Sequence, residues 1–284
     1  MSVDFMRALV VNLDPPVDAP VPTKPTLQMR GITKQFPGVM ALNDVSFNVY
    51  SGEVHCLMGE NGAGKSTLMK IMSGIYTEYE GQMLFDGSVI RLHSPREAQE
   101  HGIAMIHQEL NLVPELSVYE NIFLGREPHG ALGTLRRYKM RDEAAYWLKR
   151  LGVDIDPRRA LRRLRVGERQ LVEIAKALSL KARILVMDEP TSALSDSEAQ
   201  RLFSVIRSLK AEQVAIVYIS HRMDEIFGIA DRITVLRDGR TVSSQLATQV
   251  TRSQLIEHMV GRDINEAFRQ NPTAQSEIVL QVHH

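Results

Sequence analysis

One cysteine, Cys56, stands in 284 residues, so no disulfide can form within the chain. Its place in the apolar run Val54-His55-Cys56-Leu57-Met58 makes it a small buried hydrophobe, and a reducing, cytosolic setting fits. Long apolar stretches are missing as well. No run approaches the roughly 20 residues that a membrane-spanning helix needs. Phe5-Met6-Arg7-Ala8-Leu9-Val10-Val11 is too short and too broken for a signal-peptide core. The expectation is a protein without a membrane segment that works at a membrane, if at all, through a partner. Net charge is missing too: 34 Lys and Arg balance 34 Asp and Glu, which implies no basic face and no nucleic-acid partner. What remains is ordinary for a globular protein, with 44% apolar and 24% charged residues. The length allows one large domain or two small ones.

The stretch that organises the chain is Gly59-Glu60-Asn61-Gly62-Ala63-Gly64-Lys65-Ser66-Thr67, which fits the phosphate-binding pattern G-x-x-x-x-G-K-[ST]. The apolar run ending at Met58 reads as a buried strand, and Ser66–Ser73, closed by Gly74, reads as a helix. Strand, glycine loop and helix is the context that the pattern requires. Gly62 and Gly64 let the backbone approach phosphate oxygens. Successive N–H groups and the positive end of the helix then face the anion. Lys65 is expected to reach the β- and γ-phosphates, and the Ser66 hydroxyl to ligate Mg²⁺.

The rest of the chain surrounds this loop. Residues 1–25 carry five prolines with little periodicity and read as a mobile extension. Leu27–Phe36 and Val45–Val49 alternate apolar and polar residues as half-buried strands do, and Gly81–Gly87 reads as another antiparallel strand ending in an Asp-Gly turn. Phe36, at a strand end, is either an aromatic at the edge of the core or a platform for an adenine ring. Ile103–Ile106 is a short strand leading to His107-Gln108. From about 109 to 167 charged, amphipathic segments dominate and predict an inserted helical subdomain; its arginines 158, 159, 162, 163 and 165 read as a solvated helix face. Glu168–Leu180 and Asp196–Leu209 are helical, while Ile184–Met187, Val214–Ile219 and Ile233–Arg237 are strands. A wholly apolar strand such as Ile184–Met187 belongs to a parallel sheet covered on both faces. Alternating strands and helices predict an α/β fold whose ligand lies at the strands' carboxyl ends, where the Gly59–Thr67 loop, Asp188-Glu189 and His221 all fall. There Asp188 can hold the Mg²⁺ shell and Glu189 can polarise an attacking water.

The order of these features, with Leu164-Arg165-Val166-Gly167-Glu168 and Ser192-Ala193-Leu194-Ser195, resembles the ATP-binding cassette (ABC) ATPases over nearly all of residues 26–245. The resemblance implies a P-loop α/β core with a parallel sheet, an antiparallel β subdomain and an inserted α-helical subdomain. It implies ATP and Mg²⁺ as ligands, Phe36 as the adenine-stacking aromatic, Gln108 as a Mg²⁺ ligand, Glu189 as the catalytic carboxylate and His221 as the switch histidine. Residues Ser192–Ser195 would form the loop that crosses a dimer interface. Phe36-Pro37-Gly38-Val39, Val172–Leu178 and Tyr218–Glu225 look most like the ATPases of monosaccharide importers. In that branch one polypeptide usually carries two cassettes, and Ile278–Val282 resembles the opening strand of a second. Residues 246–284 are then expected to form a helix and a tail linking to it. The implied partners are that second cassette, permease subunits and a sugar-binding protein, at the cytoplasmic face of the membrane.

One departure stands out. The family usually has serine where this chain has Arg165, in the loop that caps the partner's ATP, and glycine where it has Val166. The Gly167 N–H would still reach the phosphate, while the arginine either clamps it or blocks closure. The alternatives to an import ATPase are a non-transport ABC ATPase and an inactive nucleotide-binding truncation.

Overall fold

The computed structural model describes residues 24–108, 111–130 and 133–261. Residues 1–23 of the expected N-terminal extension (1–25) and the strand-like Ile278–Val282 lie outside them. β1 (Leu27–Phe36) turns at Pro37-Gly38, where Gly38 has φ 77°, into β2 (Val39–Val49). The sequence pattern predicts only the second half of β2. Asp44, at φ 56°, and register shifts along the pair interrupt the alternation while pairing continues. β3 (Val54–Met58) leads into α1 (Lys65–Met72). β4 (Glu80–Phe85) and β5 (Ser88–Ile90) are joined by Asp86-Gly87, both at positive φ, the pairing that a tight two-residue hairpin demands.

α2 (Pro95–Glu100) opens on a Ser94 cap with proline at its first position, and β6 (Ile103–Ile106) follows. Next come α3 (Val118–Phe123), α4 (Arg137–Arg150) and α5 (Val166–Ser179), packed on one another through Tyr119, Ile122, Met140, Ala144, Leu148 and Leu171. β7 (Ile184–Asp188), α6 (Asp196–Ala211), β8 (Ala215–Ile219), α7 (Met223–Ile229), β9 (Arg232–Arg237), β10 (Arg240–Leu246) and α8 (Arg252–Val260) complete the chain.

β2-β1-β4-β5 form an antiparallel sheet. The second sheet runs β10-β9-β3-β8-β7-β6, parallel except at the β10 edge. Alternate residues of its central strands enter two different apolar clusters. Cys56, Met58, Met187 and Tyr218 face the α3–α6 side, whereas Leu57, Val186, Val217 and Ile219 face α1 and the antiparallel sheet. Burial on both faces is why these strands read as unbroken apolar runs.

The arginine run is a correction. Arg158–Arg163 is not a helix face but a turn followed by a single 3₁₀ turn at Leu161–Arg163. Its backbone pairs with the segment entering α3: Val118 N–H donates to Arg159 O, Leu161 N–H to Leu116 O and Arg162 N–H to Pro114 O. Those cross-bonds take the groups that a helix would have used.

Candidate functional site

β3 is buried along its whole length, and its carboxyl end delivers the chain to Gly59 in the middle of the sheet. Gly59 has φ 147°, and a Cβ there would sit 2.2 Å from Leu236 O, so only glycine fits. Gly64 has φ 103° and a Cβ would meet Ala41 O at 2.7 Å, while Gly62 at φ 86° faces open space. Glu60, Asn61, Gly62 and Ser66 are exposed, Thr67 is half-buried and Ala63 is buried. Gly64 caps α1 without any side-chain acceptor for the first-turn N–H groups. The loop therefore presents free amide donors at the positive end of a helix. Lys65 Nζ donates to Gly59 O (2.7 Å) and Glu60 O (2.9 Å), which holds the loop around its own ammonium. Burial lowers the Lys65 pKa, against the pull of Glu189 and Asp188.

Those two carboxylates come from β7, next but one to β3 in the sheet. Asp188 lies opposite Ile219 in the parallel register, so the β7 and β8 ends are level. Glu189 steps into the left-handed region (φ 45°), its N–H donating to Ile219 O at 3.0 Å. His221 Nδ1–H donates to Glu189 Oε1 at 3.1 Å. Burial, then the Glu189 charge, raise the Asp188 pKa, opposed by His107 and Lys65. The fold thus gathers Lys65, Asp188, Glu189 and His221 into one electrostatic unit. Gln108 is exposed beyond β6, at the same edge of the sheet.

Phe36 is half-buried at the end of β1, with Tyr76 edge-on at 5.3 Å between centroids and Lys34 Nζ 5.2 Å from its ring. Tyr76 is a second aromatic that sequence reasoning missed; it follows the Gly74 helix stop and carries no pattern of its own. Arg165 and Gly167 do not join the Lys65 unit. Arg165 is the exposed N-cap of α5, its N–H donating to Glu168 Oε2 (2.8 Å). Both line a separate groove of about 290 Å³ with Glu168, Gln170, Glu198 and Arg201. Glu198 fills the space over Gly167, where a Cβ would be 2.7 Å from its Oε1. Its carboxylate accepts from Ser195 N–H and Oγ–H and is held by the Gly167 N–H, contacts that lower its pKa. The signal for Glu198 was legible: Ser195-Asp196-Ser197-Glu198 is a capping box.

Comparison with known proteins bears on the family and the fold. The ABC transporter family matches residues 42–192, more than half of the chain. A ribose import ATP-binding protein of Rubrobacter xylanophilus is 51% identical over 91% of this chain and 52% of its own length. One from Geobacillus kaustophilus is 51% identical over 85% of this chain and 49% of its own. The chain spans about half the length of these curated relatives. Among solved structures, an ATP-binding cassette of an ABC transporter in its ADP conformation is 27% identical with a TM-score of 0.74, covering 84% of this chain and all of that one. A Clostridium perfringens subunit described as part of an ABC transporter complex is 25% identical with a TM-score of 0.69, over 86% of this chain and 96% of its own. Sequence match, fold and the glycine loop lead to one conclusion: the chain belongs to the ABC transporter family.

Proposed function

We propose that this chain binds ATP with Mg²⁺ at the Lys65 loop and hydrolyses it to energise import of a monosaccharide. The observation that carries the reading is the meeting of Lys65, Asp188, Glu189 and His221 at the ends of three neighbouring strands. The amides of Gly62–Lys65 would receive phosphate oxygens, with Lys65 leaving the Gly59 and Glu60 carbonyls for the β- and γ-phosphates. Phe36 would stack the adenine.

Glu189 is the base. A water placed between it and the γ-phosphate would give a proton to the carboxylate, which His221 orients through Oε1. As it does so, the water oxygen bonds to the γ-phosphorus and the bond to the bridging oxygen breaks, releasing ADP. The Mg²⁺ donor set would be Ser66, Gln108 and Asp188, hard oxygen ligands of the kind that magnesium takes alongside phosphates and water. A raised Asp188 pKa beside a second acid fits this, because a cation there relieves the repulsion. Among the described residues no three His, Cys, Asp or Glu side chains form a metal cage, and a nucleotide-borne Mg²⁺ needs none. When bound, the ion would supply positive charge that offsets the negative charge on the phosphate oxygens.

The monosaccharide class rests on the names of the relatives at about 50% identity. The proposed partners are a second cassette, whose capping loop would complete the Lys65 site, membrane permease subunits, and a sugar-binding protein beyond them. The proposed place is peripheral, at the cytoplasmic face; among the described residues no helix is long and apolar enough to cross a membrane. Equilibrium binding of a fluorescent ATP analogue tests the reading. Lys65→Ala should weaken it at least about tenfold, the worth of one charge-assisted phosphate contact, and equal affinity would overturn it.

A further inference from the structure

One buried carboxylate is absent from the mechanism above. Glu225, on α7, is 5% exposed. Its Oε2 accepts three hydroxyl protons: from Thr191 Oγ1 at 2.8 Å, Tyr218 Oη at 2.9 Å and Ser220 Oγ at 3.0 Å. Its Oε1 meets the Arg222 guanidinium at 2.8 Å. Burial above all, with the Glu225 charge beside it, raises the Tyr218 pKa, so this phenol keeps the proton it donates.

The four partners come from three places. Thr191 lies two residues after Glu189, on the loop leaving β7. Ser220 and Arg222 flank His221 on the loop leaving β8. Tyr218 is fixed inside β8, fully buried. Ser220 carries the tie one step further, since its Oγ also accepts the Arg222 N–H at 3.0 Å. Among the described residues the loops themselves have few other supports. Glu189 N–H reaches Ile219 O, Ser192 N–H reaches Glu189 O and Leu194 N–H reaches Thr191 O. A three-donor carboxylate in a dry setting is a strong local constraint, because each hydroxyl would be left unpaired if it moved.

We infer that Glu225 is a positioning residue for hydrolysis: its carboxylate clamps the loop after β7 to the loop after β8, and so holds His221 at hydrogen-bond distance from Glu189. This rests on the proposed ATPase reading for its consequence in turnover, but not for the clamp itself. Such a residue acts on the chemical step, not on nucleotide capture, since Lys65 and the glycine loop lie on another strand.

The test is Glu225→Gln, which keeps the size of the side chain but turns an amide NH₂ toward either a hydroxyl or the Arg222 cation. In a preparation where the wild type turns over ATP, kcat should fall by about tenfold or more, the worth of one charge-assisted hydrogen bond. The KM for ATP should stay within about twofold. In a His221→Ala background the same change should cost little further, because the pair it positions is already gone. Ser220→Ala should show the same pattern in smaller degree.

A structural role would instead lower activity equally in both backgrounds. Hydrogen exchange on the chain without nucleotide supplies the second readout. Glu225→Gln should speed exchange at Glu189–Leu194 and Ser220–Arg222 while leaving β3 and β8 protected. Equal costs in the two backgrounds, or unchanged exchange at those loops, overturn the inference. If no preparation hydrolyses ATP, the functional reading fails, and the exchange experiment still decides the clamp.

Discussion

His55 and Glu173 are buried ionisable groups that pull stability in opposite directions as pH changes. His55 is 1% exposed, with Nδ1–H donating to Asn48 O (2.8 Å) and Nε2 accepting from Thr234 Oγ1 (2.7 Å). The neutral ring satisfies both nitrogens, and burial pushes the pKa down to about 3. The folded pKa lies below the unfolded one, so His55 contributes stability above pH 6.5 that is lost as pH falls toward 3. Glu173 accepts from Asn111 N–H at 3.1 Å, and its Oε2 is buried without a partner among the described residues. Burial pushes its pKa up to about 7. Here the folded pKa lies above the unfolded value, so the contribution is full below pH 4.5 and is lost as pH rises through 7.

Between pH 7 and pH 5 each group moves through about 1.5 pKa units of difference, or about 2 kcal/mol, with opposite signs. The wild type should therefore be nearly flat over this window as far as these two groups are concerned. His55→Gln removes the acid-labile partner and should gain about 2 kcal/mol on going from pH 7 to pH 5, relative to wild type. Glu173→Gln should lose about as much over the same change. Urea unfolding at the two pH values, compared as differences between chains, reads both slopes. Parallel pH dependences in all three chains would refute the assignment of these groups as buried and oppositely shifted.

Gly59→Ala would place a Cβ 2.2 Å from Leu236 O in a left-handed conformation. It should abolish nucleotide-analogue binding while the far-ultraviolet circular dichroism stays that of an α/β fold. The isolated chain should be a weak ATPase and mostly monomeric at micromolar concentration. Arg165→Ser is expected to raise ATP-dependent dimerisation and turnover together in light scattering and phosphate-release assays; a fall in both would make Arg165 a phosphate clamp.

Much of the fold was legible because the physics that shapes it is local. Ile184–Met187 and Val54–Met58 are buried on both faces, so their apolar runs announced central parallel strands. Asp86-Gly87 announced a turn, and both residues are at positive φ. What stayed hidden depends on distant partners. Arg158–Arg163 has helical composition, yet its backbone is claimed by the segment before α3. α2 and α7 are too short for a periodic signal, although Ser94-Pro95 marked the start of α2. In the site, each of Lys65, Asp188, Glu189 and His221 was identified by its motif, but their mutual distances came only from the sheet order. Glu225 closes the Tyr218–Glu225 stretch that carries the resemblance but had no role of its own there, and Tyr76 had no motif. They matter through side chains that approach from other elements, which a single sequence does not record.

The central claim is that Glu189 performs chemistry on a nucleotide held by Lys65. It is tested most directly by measuring ATP affinity and steady-state turnover together in wild type and Glu189→Gln. The account predicts unchanged affinity, with turnover lower by on the order of 10²–10⁴, the usual contribution of a positioned general base. A Glu189→Gln protein that hydrolyses ATP at the wild-type rate would contradict it.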